Sequence, residues 1–541
     1  MNIGKLLTRC GHVYRDRPAL VHGPRQWTYA QFDRRANRLA QAFYRLGLKP
    51  RDHVALLMYN YPEMLEAMFA CFKAGLGAVP INFRLHPSEF AYIIDHSQAK
   101  AVVLSPEFNA PVLEIRDRIP AAHLIALSGA GGEYLDYEKL LSAETGEFED
   151  ADMQPDDIAW LFYTSGTTGR PKGAMLTHRN LLAMTLTFYA DFGSLGPNDA
   201  ILHAAPLSHG SGLYALPNVA QGAANVILES KSFEAELVFK SIEKYRITNL
   251  FAAPTMVKLL IDNPAVEKYD LSSLKSLIYG GGPMHVENLL EARRKLGPCL
   301  TQLYGMGETP MTITYLPHED HVLEGTPEQM KRLASAGFAR TGVEVRVVDA
   351  RDRDVPRGEM GEVAVRSDVV TKGYWRDPEA TAGALRGGWL HSGDVGYLDE
   401  DGYLFLMDRS KDMIISGGEN IYPREVEEVV IQHPAVREVA VIGVPDPTWG
   451  EAVKAVVVLR LGESTSEEEI IAFCKDRLAS YKKPKSVDFV DALPRSSTMK
   501  VLKTVLRETY GASVRYRAQP CRGGSRTALR PAPPTAPRLS P

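Results

Sequence analysis

The chain has 541 residues, more than one ordinary hydrophobic core can organise, so two or more domains are expected. A hydrophobic fraction of 45% and a charged fraction of 24% fit a soluble globular protein and exclude a low-complexity chain. The charge balance, 62 basic against 66 acidic residues, argues against nucleic-acid binding, and the five scattered cysteines (10, 71, 299, 474, 521) show no metal-ligand spacing and fit a reducing cytoplasm.

The first ten residues lack the apolar run of a secretory signal. The most apolar stretch, Met64 to Ile81, is broken by Lys73 and by glycines, so it reads as a buried helix and strand and not as an integral membrane segment. From Leu39 to Leu250 helical patterns alternate with short aliphatic strands at Asp52 to Met58, Ala99 to Leu104 and Asn225 to Leu228. That alternation predicts an α/β architecture with largely parallel sheets.

The apolar run Ile158 to Tyr163 predicts a buried strand, and it feeds the sequence Thr164-Ser165-Gly166-Thr167-Thr168-Gly169-Arg170-Pro171-Lys172-Gly173. Hydroxyls on Thr164, Ser165, Thr167 and Thr168 can donate to an anion. Gly166, Gly169 and Gly173 let backbone N–H groups approach it, and Lys172 adds a mobile positive charge. Those residue types in that order point to a nucleotide triphosphate. A P-loop places its lysine after a glycine at a helix start. Here Pro171 precedes Lys172, and a proline offers no N–H and disfavours helix before it, so no helix-terminus cradle is expected at this point.

Further along, Leu237 to Leu250 predicts a helix feeding a strand at Phe251, and Leu274 to Tyr279 predicts another strand. The second ends in Gly280-Gly281-Gly282-Pro283, where a flat ligand could lie against bare backbone. From Gly342 the pattern changes to alternating strands at Val343 to Val348, Gly361 to Arg366 and Gly402 to Met407, an antiparallel, barrel-like segment. A unit of about 100 residues follows. The division expected is a large N-terminal domain over 1–410, a small mobile α+β domain over 411–510, and a disordered tail over 511–541. That tail carries six arginines and no acidic residue; without it the balance is 56 basic against 66 acidic residues.

The loop at 164–173 does not stand alone. With Tyr304-Gly305-Met306-Gly307-Glu308-Thr309, Ser392-Gly393-Asp394, Asp408-Arg409-Ser410-Lys411-Asp412 and Leu493-Pro494-Arg495 running to Lys500, the chain resembles the adenylate-forming superfamily of acyl-CoA synthetases, luciferases and peptide-synthetase adenylation domains. The resemblance runs in order from about Thr28 to Arg507. It implies that a carboxylate attacks the α-phosphate of ATP to give acyl-AMP and pyrophosphate, and that a thiol, here coenzyme A, then displaces AMP. Both reactants are anions, so alignment and charge neutralisation carry most of the catalysis.

Carried over residue by residue, the resemblance makes Thr164 to Gly173 the triphosphate cradle and Glu308 the Mg2+ ligand, with Thr164 as a helper. Gly281, Gly282 and Tyr304 would sandwich adenine, with Gly305 also among the ATP-binding residues, Asp394 would accept the ribose hydroxyls, and Arg409 would make a second ribose contact. Lys500, near the end of the small domain, would bridge carboxylate and α-phosphate during adenylation. Lys411 would be the hinge that withdraws it, and Gly417 and Gly418 would then border the pantetheine tunnel. His209 and Gly280 would line the acyl pocket, with His209 as a wall rather than a base. Two positions depart from the family pattern: Gly307 stands where a threonine is usual and Met499 where a glycine is usual, which lowers the expected rate.

No aspartate stands in the pocket segments as it does in amino-acid-activating relatives, so the acid expected is a fatty or aromatic monocarboxylate. Two alternatives stay open: an acyl-AMP ligase that loads a carrier protein, and a catalytically weak nucleotide-binding regulator. A homodimer is compatible with the sequence without being required by it.

Overall fold

In the computed structural model the residues described are 1–129, 131–164, 171–409, 412–416, 419–475, 477–496 and 500–511. Three of the expectations fall outside them: the loop residues Ser165, Gly166, Thr167, Thr168 and Gly169, the hinge and tunnel residues Lys411, Gly417 and Gly418, and the tail beyond 511. So does Met499. Arg409 enters through its backbone alone.

Local sequence accounts for the helices that frame the N-terminal domain. The Thr28 side chain accepts a hydrogen bond from the Gln31 backbone amide while the Gln31 side-chain oxygen accepts one from the Thr28 amide, a reciprocal cap that starts the helix Tyr29–Arg45. Along that helix Phe32, Ala36, Leu39, Ala40 and Phe43 are buried, the spacing of a single apolar face. The helix Pro62–Lys73 is buried at every position. Its last residue, Lys73, is paired with Asp33 at 2.8 Å and Asp150 at 3.1 Å, which is how an ammonium group survives in the interior.

The described residues form four sheets. A seven-stranded sheet has Ala99–Leu104, His53–Leu57, Gly77–Ile81 and Ile158–Thr164 at its parallel centre, with Lys172–Thr177 as an antiparallel edge. A nine-stranded sheet carries Ala200–His203, Asn249–Ala252, Ser276–Gly280 and Leu300–Tyr304 side by side in parallel. The segment from 344 forms a five-stranded antiparallel sheet built on Glu344–Val348, Gly361–Arg366, Trp389–Leu398 and Leu404–Arg409. The C-terminal domain has its own sheet, centred on the long antiparallel pair Val436–Asp446 and Gly450–Leu459. Parallel strands with helices on both faces bury both sides, which is why they read as continuous aliphatic runs.

The helix expected over Leu237 to Leu250 stops earlier, at Ala235–Tyr245. Arg246 takes a left-handed conformation with φ of 50° and turns the chain into the strand Asn249–Ala252. A glycine would have signalled that stop; an arginine does not. The two domains meet through the helix Pro423–Val430. Glu428 pairs with His285 at 3.1 Å, and Arg424 donates to the carbonyls of Leu406 and Ala334, both at 3.3 Å. No helix among the described residues is long and apolar enough to cross a membrane.

Candidate active site

The two strands on either side of the predicted phosphate loop pair with each other. Ile158–Thr164 pairs antiparallel with Lys172–Thr177, and the register sets Thr164 opposite Lys172 and Tyr163 opposite Gly173. Lys172 therefore opens a strand and not a helix, as the proline before it requires. Both ends of the ten-residue window are held by one rigid ladder.

A second segment clamps the outer edge of that strand pair. Met175 donates its amide to the Gly373 carbonyl at 2.9 Å, Trp375 donates to the Gly173 carbonyl at 2.8 Å, and Ala174 bridges Tyr374. Covering an edge strand in this way removes its free ladder groups. It also places Tyr374 and Asp377 at the mouth of the loop: the Lys172 ammonium lies 5.3 Å from the centre of the Tyr374 ring and 3.9 Å from the Asp377 carboxylate.

Glu308 sits in the turn after the strand Leu300–Tyr304 and is only 5% exposed. Its Oε1 accepts the Tyr374 hydroxyl at 2.8 Å and the Thr164 hydroxyl at 3.4 Å, and its carbonyl accepts the Thr371 amide at 2.7 Å. Among the described residues no lysine or arginine pairs with this carboxylate, and a buried carboxylate without a counter-charge calls for a cation. Among them too there is no group of three or more histidine, cysteine or acidic side chains able to hold a metal by itself. A hard cation shared between one carboxylate and phosphate oxygens suits this donor set.

On the other side of the turn, the Tyr304 hydroxyl donates to Oδ2 of Asp394 at 2.7 Å. Asp394 lies on the strand Trp389–Leu398 with Arg409 as its register partner, so the two residues expected at the ribose stand side by side on adjacent strands. Gly305 has no room for a side chain: a Cβ there would lie 2.3 Å from the Met311 carbonyl carbon. Gly281 differs, with φ of +84° and nothing within 4 Å of where a Cβ would be; Gly282 has only the Pro254 ring, at 3.9 Å. These two present bare backbone to open space, as an adenine platform needs. Gly280 points the other way, into Leu303, so its lack of a side chain serves strand packing.

Gly307 acquires a physical reason. A Cβ on it would lie 2.6 Å from both Phe162 Cδ1 and Thr164 Cγ2, so the space a threonine would take is already filled by the strand that carries the phosphate loop. Phe162 in turn meets His209 edge to face, with ring centres 5.5 Å apart. His209 stands at the start of the helix Gly210–Ala220 and shares a hydrogen bond with Ser208 at 2.9 Å. Burial, with the Arg84 charge nearby, lowers its pKa to about 4, so near neutral pH its ring is uncharged.

Thr164, Glu308 and Lys172 are thus gathered at the loop, and Tyr304, Asp394 and the Arg409 backbone beside them. Lys500 belongs to the C-terminal domain and is exposed; Arg495 bridges Val501, and the Ser496 amide donates to the Lys500 carbonyl at 2.7 Å. Sequence reasoning missed Tyr374, Asp377, Phe162 and Arg84. The only signal for the first two is an aromatic pair following a glycine, ahead of the proline that opens the helix Pro378–Ala384.

Residues 7–375 match the family described as AMP-binding enzyme, and residues 425–500 match the AMP-binding enzyme C-terminal domain. A feruloyl-CoA synthase from an Amycolatopsis species is 41% identical over 502 residues, covering 91% of this chain and 96% of that protein. The medium/long-chain-fatty-acid–CoA ligase FadD8 of Mycobacterium tuberculosis is 35% identical, covering 94% and 90% respectively. Among solved structures, the amide bond synthetase McbA from Marinactinospora thermotolerans superposes with a TM-score of 0.85 at 32% identity, covering 94% of this chain and all of that one.

Proposed function

The chain belongs to the AMP-binding enzyme family, and on that premise we propose that it activates an aromatic monocarboxylic acid and hands the acyl group to coenzyme A. It is an AMP-forming acid–thiol ligase that uses ATP. The observation that carries the aromatic choice is the wall around His209. Phe162 and His209 meet edge to face, and one turn further along the same helix Tyr214 meets Phe251 with ring centres 6.0 Å apart. Edge-to-face surfaces of this kind suit a flat ring better than a long flexible chain. The feruloyl-CoA synthase relative supports the same class.

In the first half-reaction a carboxylate oxygen of the acid forms a bond to the α-phosphorus of ATP, and the bond to the β-phosphate oxygen breaks, releasing pyrophosphate. In the second, the sulfur of coenzyme A bonds to the acyl carbon and AMP leaves. Lys172 and the loop would hold the β and γ phosphates, Asp394 the ribose, and Gly281 and Gly282 the adenine face. Lys500 would neutralise the charge gathering between carboxylate and α-phosphate. Glu308, braced by Tyr374 and Thr164, would hold a magnesium ion jointly with phosphate oxygens. That ion supplies charge neutralisation on the triphosphate when bound.

The test is AMP release by the purified chain with ATP, magnesium, coenzyme A and a panel of acids running from benzoate and cinnamate through alkanoates of increasing length. Aromatic acids should give the highest kcat/KM and a thioester product. Preference for a long alkanoate would overturn the aromatic assignment. AMP-anhydride formation without thioester from free coenzyme A would favour a carrier-protein acceptor.

A further inference from the structure

The helix Val286–Leu296 starts just past Gly281 and Gly282, so its first turn fixes one end of the loop that carries the proposed adenine platform. Its body is held inside the N-terminal domain. Leu289, Ala292 and Leu296 are buried, Lys295 donates to the Ile261 carbonyl at 2.6 Å, and Arg293 donates to the His321 carbonyl at 3.0 Å. Its start is held differently. The first amides of a helix have no partner within it and call for a side-chain acceptor, yet His285, in the capping position, makes no such bond with its own side chain. The acceptor comes from the other domain. Glu428, on the helix Pro423–Val430, takes the Val286 amide, and its Oε1 lies 3.1 Å from His285 Nδ1. Burial acts to raise the Glu428 carboxyl, but those two contacts and Arg424, whose Nε stands 3.7 Å away, hold it below the usual carboxylate range. A negative charge at a helix N-terminus is favourable, so this is a cap supplied across the domain interface.

The same C-terminal helix ties that cap to the seating of its domain. Arg424, one turn before Glu428, donates to the carbonyls of Leu406 and Ala334 in the N-terminal domain, so Glu428 reaches Val286 while that seat is occupied. The loop between has few anchors of its own. Among residues 281–285 only Met284 is buried, and Gly281, with its positive φ, faces open space where a Cβ would be. The strand end at Gly280 and the helix start at Val286 therefore set its shape, and one of those two ends depends on the second domain.

Resting on the reading of Gly281 and Gly282 as the adenine platform, we infer that Glu428 is a positioning residue that couples the seating of the C-terminal domain to nucleotide binding. By capping the helix Val286–Leu296 from across the interface it orders the adenine loop when the domain is seated, and it takes that order away when the domain leaves. The coupling is reciprocal: bound AMP favours the seated domain to the extent that the seated domain favours AMP.

The experiment compares full-length wild type, Glu428→Ala and the double variant Glu428→Ala/His285→Ser by calorimetric AMP affinity and by hydrogen exchange in the helix Pro423–Val430 with and without AMP. Glu428→Ala should weaken AMP binding about threefold to tenfold, the scale of losing a helix cap. His285→Ser supplies a cap from the helix's own chain, since position 285 already has the extended backbone of a capping residue, and it should bring the affinity back to within about twofold of wild type. AMP should slow exchange of the helix in the wild type and in neither variant, because the restored cap no longer crosses the interface. Affinity restored with protection lost is a combination that a merely stabilising residue does not produce. Glu428→Gln, which keeps an acceptor and loses the charge, should fall between wild type and Glu428→Ala; if the alanine variant does not fold, wild-type affinity in Glu428→Gln overturns the inference. Unchanged affinity in Glu428→Ala, no rescue by His285→Ser, or wild-type exchange that AMP does not slow also overturns it and leaves the ligase standing. A wild type that binds no AMP sinks the nucleotide-site reading, and the inference falls with it.

Discussion

Tyr374 donates its hydroxyl to Oε1 of Glu308 across 2.8 Å and 66 residues of chain. The same ring receives the Lys172 ammonium on its face, so one side chain braces both the proposed metal ligand and the proposed phosphate escort.

Tyr374→Phe removes the hydrogen bond and keeps the ring. A hydrogen bond to an ionised carboxylate is worth about 1.5–3 kcal/mol, so the magnesium concentration for half-maximal activity should rise by roughly tenfold or more. Tyr374→Leu also removes the cation–π contact and should raise KM for ATP further. AMP release titrated against magnesium and ATP checks both, and an unchanged magnesium dependence in Tyr374→Phe would remove Tyr374 from the account.

Asp394→Asn replaces an acceptor-only carboxylate with an amide that must also donate. If Asp394 receives ribose hydroxyls, AMP binding should weaken by roughly tenfold, as expected for loss of charge-assisted hydrogen bonds. Calorimetric titration with AMP and with 2′-deoxy-AMP checks the assignment. The variant should discriminate between the two nucleotides less than the wild type does.

Gly307→Ala should destabilise the chain by about 1–3 kcal/mol, because its Cβ would press into Phe162 and Thr164. Combining it with Phe162→Leu should recover part of that loss, and denaturant unfolding of the two single variants and the double variant measures the coupling. Additive effects would mean that the two residues do not compete for one space.

Four histidines, His178, His203, His209 and His321, have pKa values lowered to about 4, chiefly by burial. The unfolded chain takes up their protons near pH 6.5 and the folded chain does so only near 4. Stability should therefore fall as pH drops through that window, by up to about 1.4 kcal/mol per pH unit for each histidine. Glu66, whose carboxyl burial raises, opposes the trend as one group against four. Urea midpoints at pH 7 and pH 5 check the sign, and equal midpoints would contradict it.

What could be read from the sequence follows from where the residues sit. Thr164, Tyr304 and Glu308 lie at or just past the ends of parallel strands, next to glycines that have a stated backbone reason, so short local motifs reveal them. Asp394 and Arg409 are separated in sequence but are register partners, and each carries its own motif. Tyr374 was illegible because its partners Glu308 and Lys172 lie on other elements. Phe162 reads as one more apolar strand residue until Gly307 is placed against it. The Arg340–Asp191 pair spans 149 residues, and no local pattern marks either member as buried. The overextended helix at 237–250 has the same origin: a tertiary turn at Arg246 overrides the local apolar period.

The proposed mechanism separates into two half-reactions, and gives Lys500 a role in only the first. Wild type and Lys500→Ala are compared for pyrophosphate release from ATP and acid, and for thioester formation from supplied acyl-AMP and coenzyme A. Lys500→Ala should lose at least about 100-fold in the first, the scale of removing one group that stabilises developing charge, and keep the second within a few-fold. Equal loss in both half-reactions, or none in the first, would contradict it.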